Sequence, residues 1–279
     1  MIKYCVYIYP QNNCINVFIE LAIGIMTAIK TKGYSNCQYS NNFLDGYRHI
    51  IFGANAMCKN NLVVATIPCD SIIVNCEQLS DDSPWVNNIY MNILKKHLVW
   101  DYSKDNIAWL NKHDIIFNVS YLPIGNFSLG RDPVPEEQDI DVLFYGYLNH
   151  RRQEIYQQLK KNLDGKNIMF EENIWGDERD KLICRSKIIL NIHYYETKIF
   201  EIIRISHLLA NQAFVISEDS TATSTYANLK DGYVECAYSE IVNKVTYYLD
   251  NPNERKKIAK KGYDLIKLTP QTVPLESIS

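Results

Sequence analysis

The chain has 279 residues, with 29 basic and 32 acidic side chains and a net charge of −3. That is enough length for one large domain or two smaller ones with real cores, and it leaves no positive excess for nucleic acid or an anionic membrane. A hydrophobic share of 47% with 22% charged residues excludes wholesale disorder. In chain order, Tyr4 to Tyr9 is a short apolar, aromatic run. Asn12-Asn13 then precedes apolar residues at 18, 21, 22, 25 and 29, which spells strand, cap and amphipathic helix. Gly33 stops the helix, and strand-like runs follow at His49 to Phe52, Ser71 to Asn75 and His97 to Trp100. These runs are apolar without strict alternation, as in strands buried on both faces of a parallel sheet.

From Leu122 to Asp141 turn formers and charge accumulate, and the stretch reads as a linker. A second alternating unit follows: strand Ile140 to Tyr145, a Gly146 turn, and a helix with Ile155, Leu159 and Leu163 on one face before Gly165. Next come strand Ile168 to Phe170, helix Glu178 to Ser186, strand Ile188 to Ile192, helix Ile199 to Ala210 and strand Ala213 to Ser217. Two closing helices carry Ile241, Val245, Tyr248 and Leu249, and then Asn253 to about Lys267, parted at Asn251-Pro252. The expected architecture is α/β: two doubly wound Rossmann-like domains facing a cleft, with boundaries at 1–125, a linker at 126–139, and 140–279. In such sheets ligands sit beyond the carboxyl ends of the strands.

Stretches such as Ile188 to Ile192 fall far short of the ~20 apolar residues of a membrane-spanning helix. The N-terminus lacks a signal-peptide core, so a cytoplasmic chain without a span is expected. Eight cysteines show no C-x-x-C pair and no zinc spacing, and read as free thiols. Neither G-x-G-x-x-G, nor a P-loop, nor G-x-S-x-G occurs, which argues against a dinucleotide oxidoreductase, a P-loop NTPase and an α/β-hydrolase. Polar residues at strand ends remain. Gly146 through Arg151 and Arg152 could hold a diphosphate at a helix start, where exposed N–H groups and a guanidinium meet. Lys198, Glu201 and Arg204 recur every third residue on the expected helix and would form either a ribose-binding carboxylate with cations or a plain surface ion pair. Ser217-Glu-Asp, also at a strand end, is either part of such a site or, as its composition favours, an acidic N-cap of the next segment.

Several stretches carry a family resemblance: Asp139-Ile-Asp-Val-Leu-Phe-Tyr-Gly-Tyr-Leu-Asn-His-Arg-Arg, Gly176-Asp-Glu-Arg-Asp-Lys-Leu-Ile-Cys-Arg-Ser-Lys, Leu190-Asn-Ile-His-Tyr-Tyr-Glu-Thr-Lys-Ile-Phe-Glu-Ile-Ile-Arg and Leu208-Leu-Ala-Asn-Gln-Ala-Phe-Val-Ile-Ser-Glu. Together they resemble the nucleotide-binding half of GT-B glycosyltransferases, and within these the short family-1-like group of bacteria and large viruses. The resemblance covers about residues 139 to 267 and is thinner before them. It implies sugar transfer from a nucleotide-sugar donor, UDP- or GDP-linked, to a glycan, protein or small-molecule acceptor. It also implies no further cofactor and no catalytic metal, in keeping with the position of Asp139-Ile-Asp141 at a strand start. By the same resemblance Gly146, Asn149 and Arg151 or Arg152 border the diphosphate, His193, Tyr195 and Glu196 border the sugar, and Lys198, Glu201 and Arg204 lie near the ribose and phosphate. The family's E-x7-E spacing is absent, since Glu196 plus eight is Arg204. An inverting reaction would need a base from the first half, where Glu77 and Asp101 stand at strand ends. A sugar-nucleotide epimerase of the same architecture and a non-catalytic nucleotide-binding module are the alternatives.

Overall fold

The structure, a computed structural model, describes residues 2–11, 13–115, 118–127, 137–221 and 223–275. These divide into two compact units, one running to Phe127 and taking in Gln271 to Leu275, the other running from Glu137 to Pro270. Most of the expected linker, residues 128–136, lies outside the described residues. The expected second domain ran on through the tail, whereas the tail belongs to the first unit. The reason is local. Gln271 donates its backbone N–H to Asn126 O (3.2 Å) and its side-chain amide to Pro123 O (2.9 Å), while Gly125 N donates to Gln271 Oε1 (3.0 Å).

The first unit runs β1 (Tyr4–Ile8), α1 (Cys14–Thr31), β2 (Cys37–Ser40), β3 (Arg48–Phe52), α2 (Ala54–Met57), α3 (Asn61–Ala65), β4 (Ile72–Asn75), α4 (Asn88–Lys96), β5 (Leu98–Asp101), α5 (Lys104–Lys112) and β6 (Val119–Tyr121). The strands form one parallel sheet in the order β2-β1-β3-β4-β5-β6. All five residues of β1 and all four of β4 are buried, as the unalternating apolar runs require. Gly33 ends α1 at φ 93°, with its N–H on Lys30 O and that of Tyr34 on Ile29 O.

By length and composition α1 is apolar enough to cross a membrane, although Asn16 and Glu20 break its apolar run. Here Leu21, Ala22, Ile25, Ala28 and Ile29 are buried within the unit, and Gly24 lies so close to Phe127 that a Cβ could not fit between them.

The second unit runs β7 (Ile140–Tyr145), α6 (His150–Asn162), β8 (Ile168–Glu171), α7 (Gly176–Cys184), β9 (Ser186–Asn191), α8 (Ile202–Ala210), β10 (Val215–Glu218), a 3-10 stretch, β11 (Val234–Cys236), α9 (Ile241–Asp250) and α10 (Pro252–Lys267). Its parallel sheet has the order β11-β10-β9-β7-β8. Val142, Phe144, Ile188, Leu190 and Ile216 meet Ile155 and Leu159 of α6 and Ile241, Val245 and Tyr248 of α9 in one core. Helix α8 begins three residues later than its apolar pattern suggested, so Lys198 (φ 48°) lies before it and Glu201 at its cap position.

Candidate functional site

Because β10, β9 and β7 are parallel neighbours, the loops after them leave one edge of the sheet together. This edge gathers Gly146, Asn149, Arg151, Arg152, His193, Tyr195, Glu196, Lys198, Glu201 and Arg204. Gly146, at φ 131°, closes β7 with its N–H on Glu171 O (2.9 Å). The backbone of the turn favours glycine, and a Cβ there would come within 2.9 Å of Arg204 Nη2 and push that guanidinium aside. Asn149 caps α6: its Oδ1 accepts from Arg152 N (3.1 Å) and its amide donates to Tyr194 O (2.9 Å).

The two arginines of the first turn divide their work. Arg152 is buried and donates to backbone alone, from Nε and Nη2 to Ile192 O (2.9 and 2.7 Å) and from Nη1 to Tyr147 O (2.6 Å), against the Phe144 ring. Burial pulls its guanidinium down to about 10. It stitches the β7 and β9 loops together and is not placed to receive a phosphate. Arg151 faces the other way, lies over the Tyr238 ring, and donates to His193 O (2.9 Å) and as a fork to Glu218 (2.6 and 3.1 Å). The exposed Glu196 carboxylate sits 3.0 Å from its Nε.

Glu218, which the sequence marks only as part of a strand-end acidic cap, is the centre of this cluster. It is the last residue of β10, has no solvent exposure, and carries Arg151, Lys198 Nζ (3.1 Å) and the backbone N–H of His193 (3.1 Å). Burial would push its carboxyl up, but the hydrogen bonds from Arg151 and Lys198 more than offset this and hold it below the usual range. Lys198 also reaches the half-exposed Asp219 (3.0 Å), and its backbone carbonyl accepts from Thr221 N (3.0 Å). Tyr195 packs edge-on against Tyr194 and accepts Lys198 N at its carbonyl (3.2 Å).

Glu201 sits among Arg204 (Nε 3.3 Å), Arg152 (Nη2 3.7 Å) and His193 (Nδ1 3.7 Å). Burial alone would raise its carboxyl, and His193, Arg204 and Arg152 together pull it down to about 2. The fully buried His193 ring uses Nε2 on Ser220 Oγ (2.8 Å), and its Nδ1 makes no hydrogen bond. Arg204 also donates to Tyr145 O (2.5 Å). Asp139 and Asp141 lie at the opposite end of β7, paired with Arg185 (2.5 Å) and Lys187 (2.7 Å).

Of the residues expected to be catalytic, His193 lies in this cluster, while the candidate bases Glu77 and Asp101 belong to the first unit. Asp101 is sealed: its oxygens accept from Asn75 (2.6 Å), Ser103 N (2.8 Å) and Asn106 (3.0 Å), and burial lifts it to about 7. Both Asp101 oxygens are thus engaged by donors of its own unit. Asn75 and Asn106 in turn hold the Glu77 carbonyl (3.1 and 2.8 Å), and Glu77 N donates to Asn75 Oδ1 (3.2 Å). The Glu77 carboxyl accepts from Asn55 (2.8 Å) and is likewise raised by burial to about 7.

The chain matches known proteins in sequence and in fold. The model of a family described as Glycosyl transferase-like matches residues 131–270. Uncharacterized protein L140 of Acanthamoeba polyphaga mimivirus is 32% identical over 219 residues, 76% of this chain and 69% of that protein. Uncharacterized protein L138 of the same virus is 29% identical over 240 residues, and the chain spans only 27% of its length. In fold, the chain resembles Anabaena Alr3699/HepE, solved with UDP and glucose, at TM-score 0.61 and 10% identity, covering 98% of this chain and 96% of that one.

Proposed function

Since the chain belongs to the glycosyl transferase-like family and carries the two Rossmann-like units of a GT-B fold, we propose that it moves a sugar from a nucleotide diphosphate to a hydroxyl-bearing acceptor, holding the donor on the second unit. The observation that carries this reading is the set of cations Arg151, Lys198 and Arg204 at the carboxyl edge of the sheet, beside the N-terminus of α6. A diphosphate there would meet helix N–H groups and fixed positive charge together. UDP is the nucleotide we favour, because HepE was solved with it.

As the bond from the anomeric carbon to the diphosphate oxygen breaks, charge grows on the leaving group, and prearranged cations gain most at that moment. We assign this work to the cations and not to a divalent ion; the carboxylates of the Asp139-x-Asp141 triplet are held by Arg185 and Lys187 at the far end of β7. Inversion at that carbon sends the acceptor proton to a base, for which Glu77 is our candidate: a carboxyl near 7 exchanges protons at neutral pH. Cytoplasmic location is proposed on the strength of eight free cysteines and of α1 packed as a core helix.

A thermal-shift series with UDP-, GDP-, CMP- and dTDP-sugars, followed by a donor-hydrolysis assay on each stabilising compound, tests the reading. Stabilisation by one nucleotide diphosphate sugar with slow release of free sugar is expected. Stabilisation by none refutes it, and release of an epimerised nucleotide sugar without acceptor would make the protein an epimerase.

A further inference from the structure

We propose that Glu218 is a positioning residue for donor binding: one buried carboxylate that fixes the phosphate-facing cations Arg151 and Lys198 before the donor arrives. The proposal rests on the donor site assigned above and adds what that site needs in order to be ready.

Glu218 fastens the first turn of α6 and the loop after β9 to the end of its own strand. Its Oε1 takes Arg151 Nη2 at 2.6 Å and Lys198 Nζ at 3.1 Å, and its Oε2 takes Arg151 Nη1 and the His193 backbone N–H, both at 3.1 Å. Arg151 belongs to the first turn of α6, His193 and Lys198 to the loop after β9, and Glu218 itself ends β10. Every group it holds is a donor, and the carboxylate is closed to solvent, so no water substitutes for it.

The remaining anions on these cations are of another kind. Glu196, on Arg151 Nε, has a side chain 80% exposed, and Asp219, on Lys198 Nζ, one 52% exposed. Such carboxylates swing into water at little cost and leave an incoming diphosphate their place. Glu218 stays. Long, flexible Lys and Arg side chains otherwise lose rotamer freedom when they grip a ligand, and a buried anchor has already taken that loss in the folded protein.

Charge and position make opposite predictions here, which allows a clean test. If Glu218 acts only as a negative charge beside an anion site, removing the charge must tighten a diphosphate. If it acts by position, removing it must loosen one. Glu218→Asp keeps the charge and withdraws the oxygens by one methylene, so charge alone predicts no change.

The experiment is UDP titration by calorimetry on the wild-type chain, Glu218→Asp and Glu218→Gln, each with a melting curve. The proposal expects UDP to bind both Glu218 variants about 10- to 100-fold more weakly, the scale of one charge-assisted hydrogen bond. Unchanged or tighter binding in a folded Glu218 variant overturns the proposal while leaving the donor site intact. Failure of both variants to fold assigns Glu218 to stability alone and overturns it too. Wild-type protein that does not bind UDP refutes the donor site itself.

Discussion

Glu201 offers the sharpest quantitative test of the second unit's electrostatics. Its carboxyl is held at about 2 against an ordinary 4.5, with Arg204, Arg152 and His193 around it and a side chain only 16% exposed. A shift of that size corresponds to roughly 3 kcal/mol of stability at neutral pH, since each unit is worth about 1.36 kcal/mol. The folded value is the lower one, so this stability is complete above about pH 4.5 and disappears as the pH falls toward 2. Glu201→Gln cannot titrate and lacks it at every pH. Asp141, Asp180 and Glu218, also depressed, are shared by both proteins and cancel in the difference. Urea unfolding of both proteins at intervals from pH 7 to pH 2 should therefore show a wild-type advantage that shrinks by about 3 kcal/mol across the acid range. Any residue left at pH 2 reports the uncapped cations and lost packing. A difference that stays constant with pH would refute the assignment of Glu201 as an ionised hub.

The first unit should respond to pH in the opposite sense. Asp101 and Glu77 are raised to about 7, so the folded state loses stability as pH climbs from about 4 to 7, and Asp101→Asn should remove Asp101's share of that slope in the same urea series. If Glu77 takes the acceptor proton, kcat should rise through about pH 7, and Glu77→Gln should abolish transfer while leaving UDP binding unchanged by calorimetry. Arg152→Ala strands the carbonyls of Ile192 and Tyr147 and should lower stability by about 2–4 kcal/mol in denaturant unfolding; Arg152→Lys should recover little of it, having no planar fork. Gly146→Ala should displace Arg204 and lower kcat more than it raises KM for the donor, and a normal kcat would remove Arg204 from the transition state. Turnover should survive EDTA; loss restored by Mn²⁺ or Mg²⁺ would give the cations' task to a metal.

Apart from Ile168–Glu171, a partly exposed strand at the end of its sheet, the strands that sequence reading located are largely buried ones, where composition alone reports the environment. Ile140 to Tyr145 and Ser71 to Asn75 are of this kind. Cys37–Ser40, Val119–Tyr121 and Val234–Cys236 went unread. Each lies at an end of its sheet, is three or four residues long, and has partial exposure that admits polar residues. The start of α8 was misread for a different reason. Ile199-Phe200 continues the apolar pattern without a break, while the backbone is held out of the helix by Thr221, donating to Lys198 O from twenty-three positions away.

The same distinction between local pattern and distant partner decides the candidate site. Successive residues on a helix point about 100° apart, so of Arg151 and Arg152 only one can turn toward the strands and be consumed by backbone carbonyls. Which one depends on Ile192, forty residues on, and no spacing within the helix records it. Glu218 is the limiting case. Its neighbours Ser217 and Asp219 compose a capping sequence, and local rules read it so. Yet its partners Arg151, His193 and Lys198 stand 67, 25 and 20 positions away, brought within reach only by the order β10-β9-β7. In a doubly wound sheet, then, the residues that grip a ligand can be guessed from their place after a strand. The carboxylate that holds them still belongs to a neighbouring strand, and it becomes legible once strand order is known.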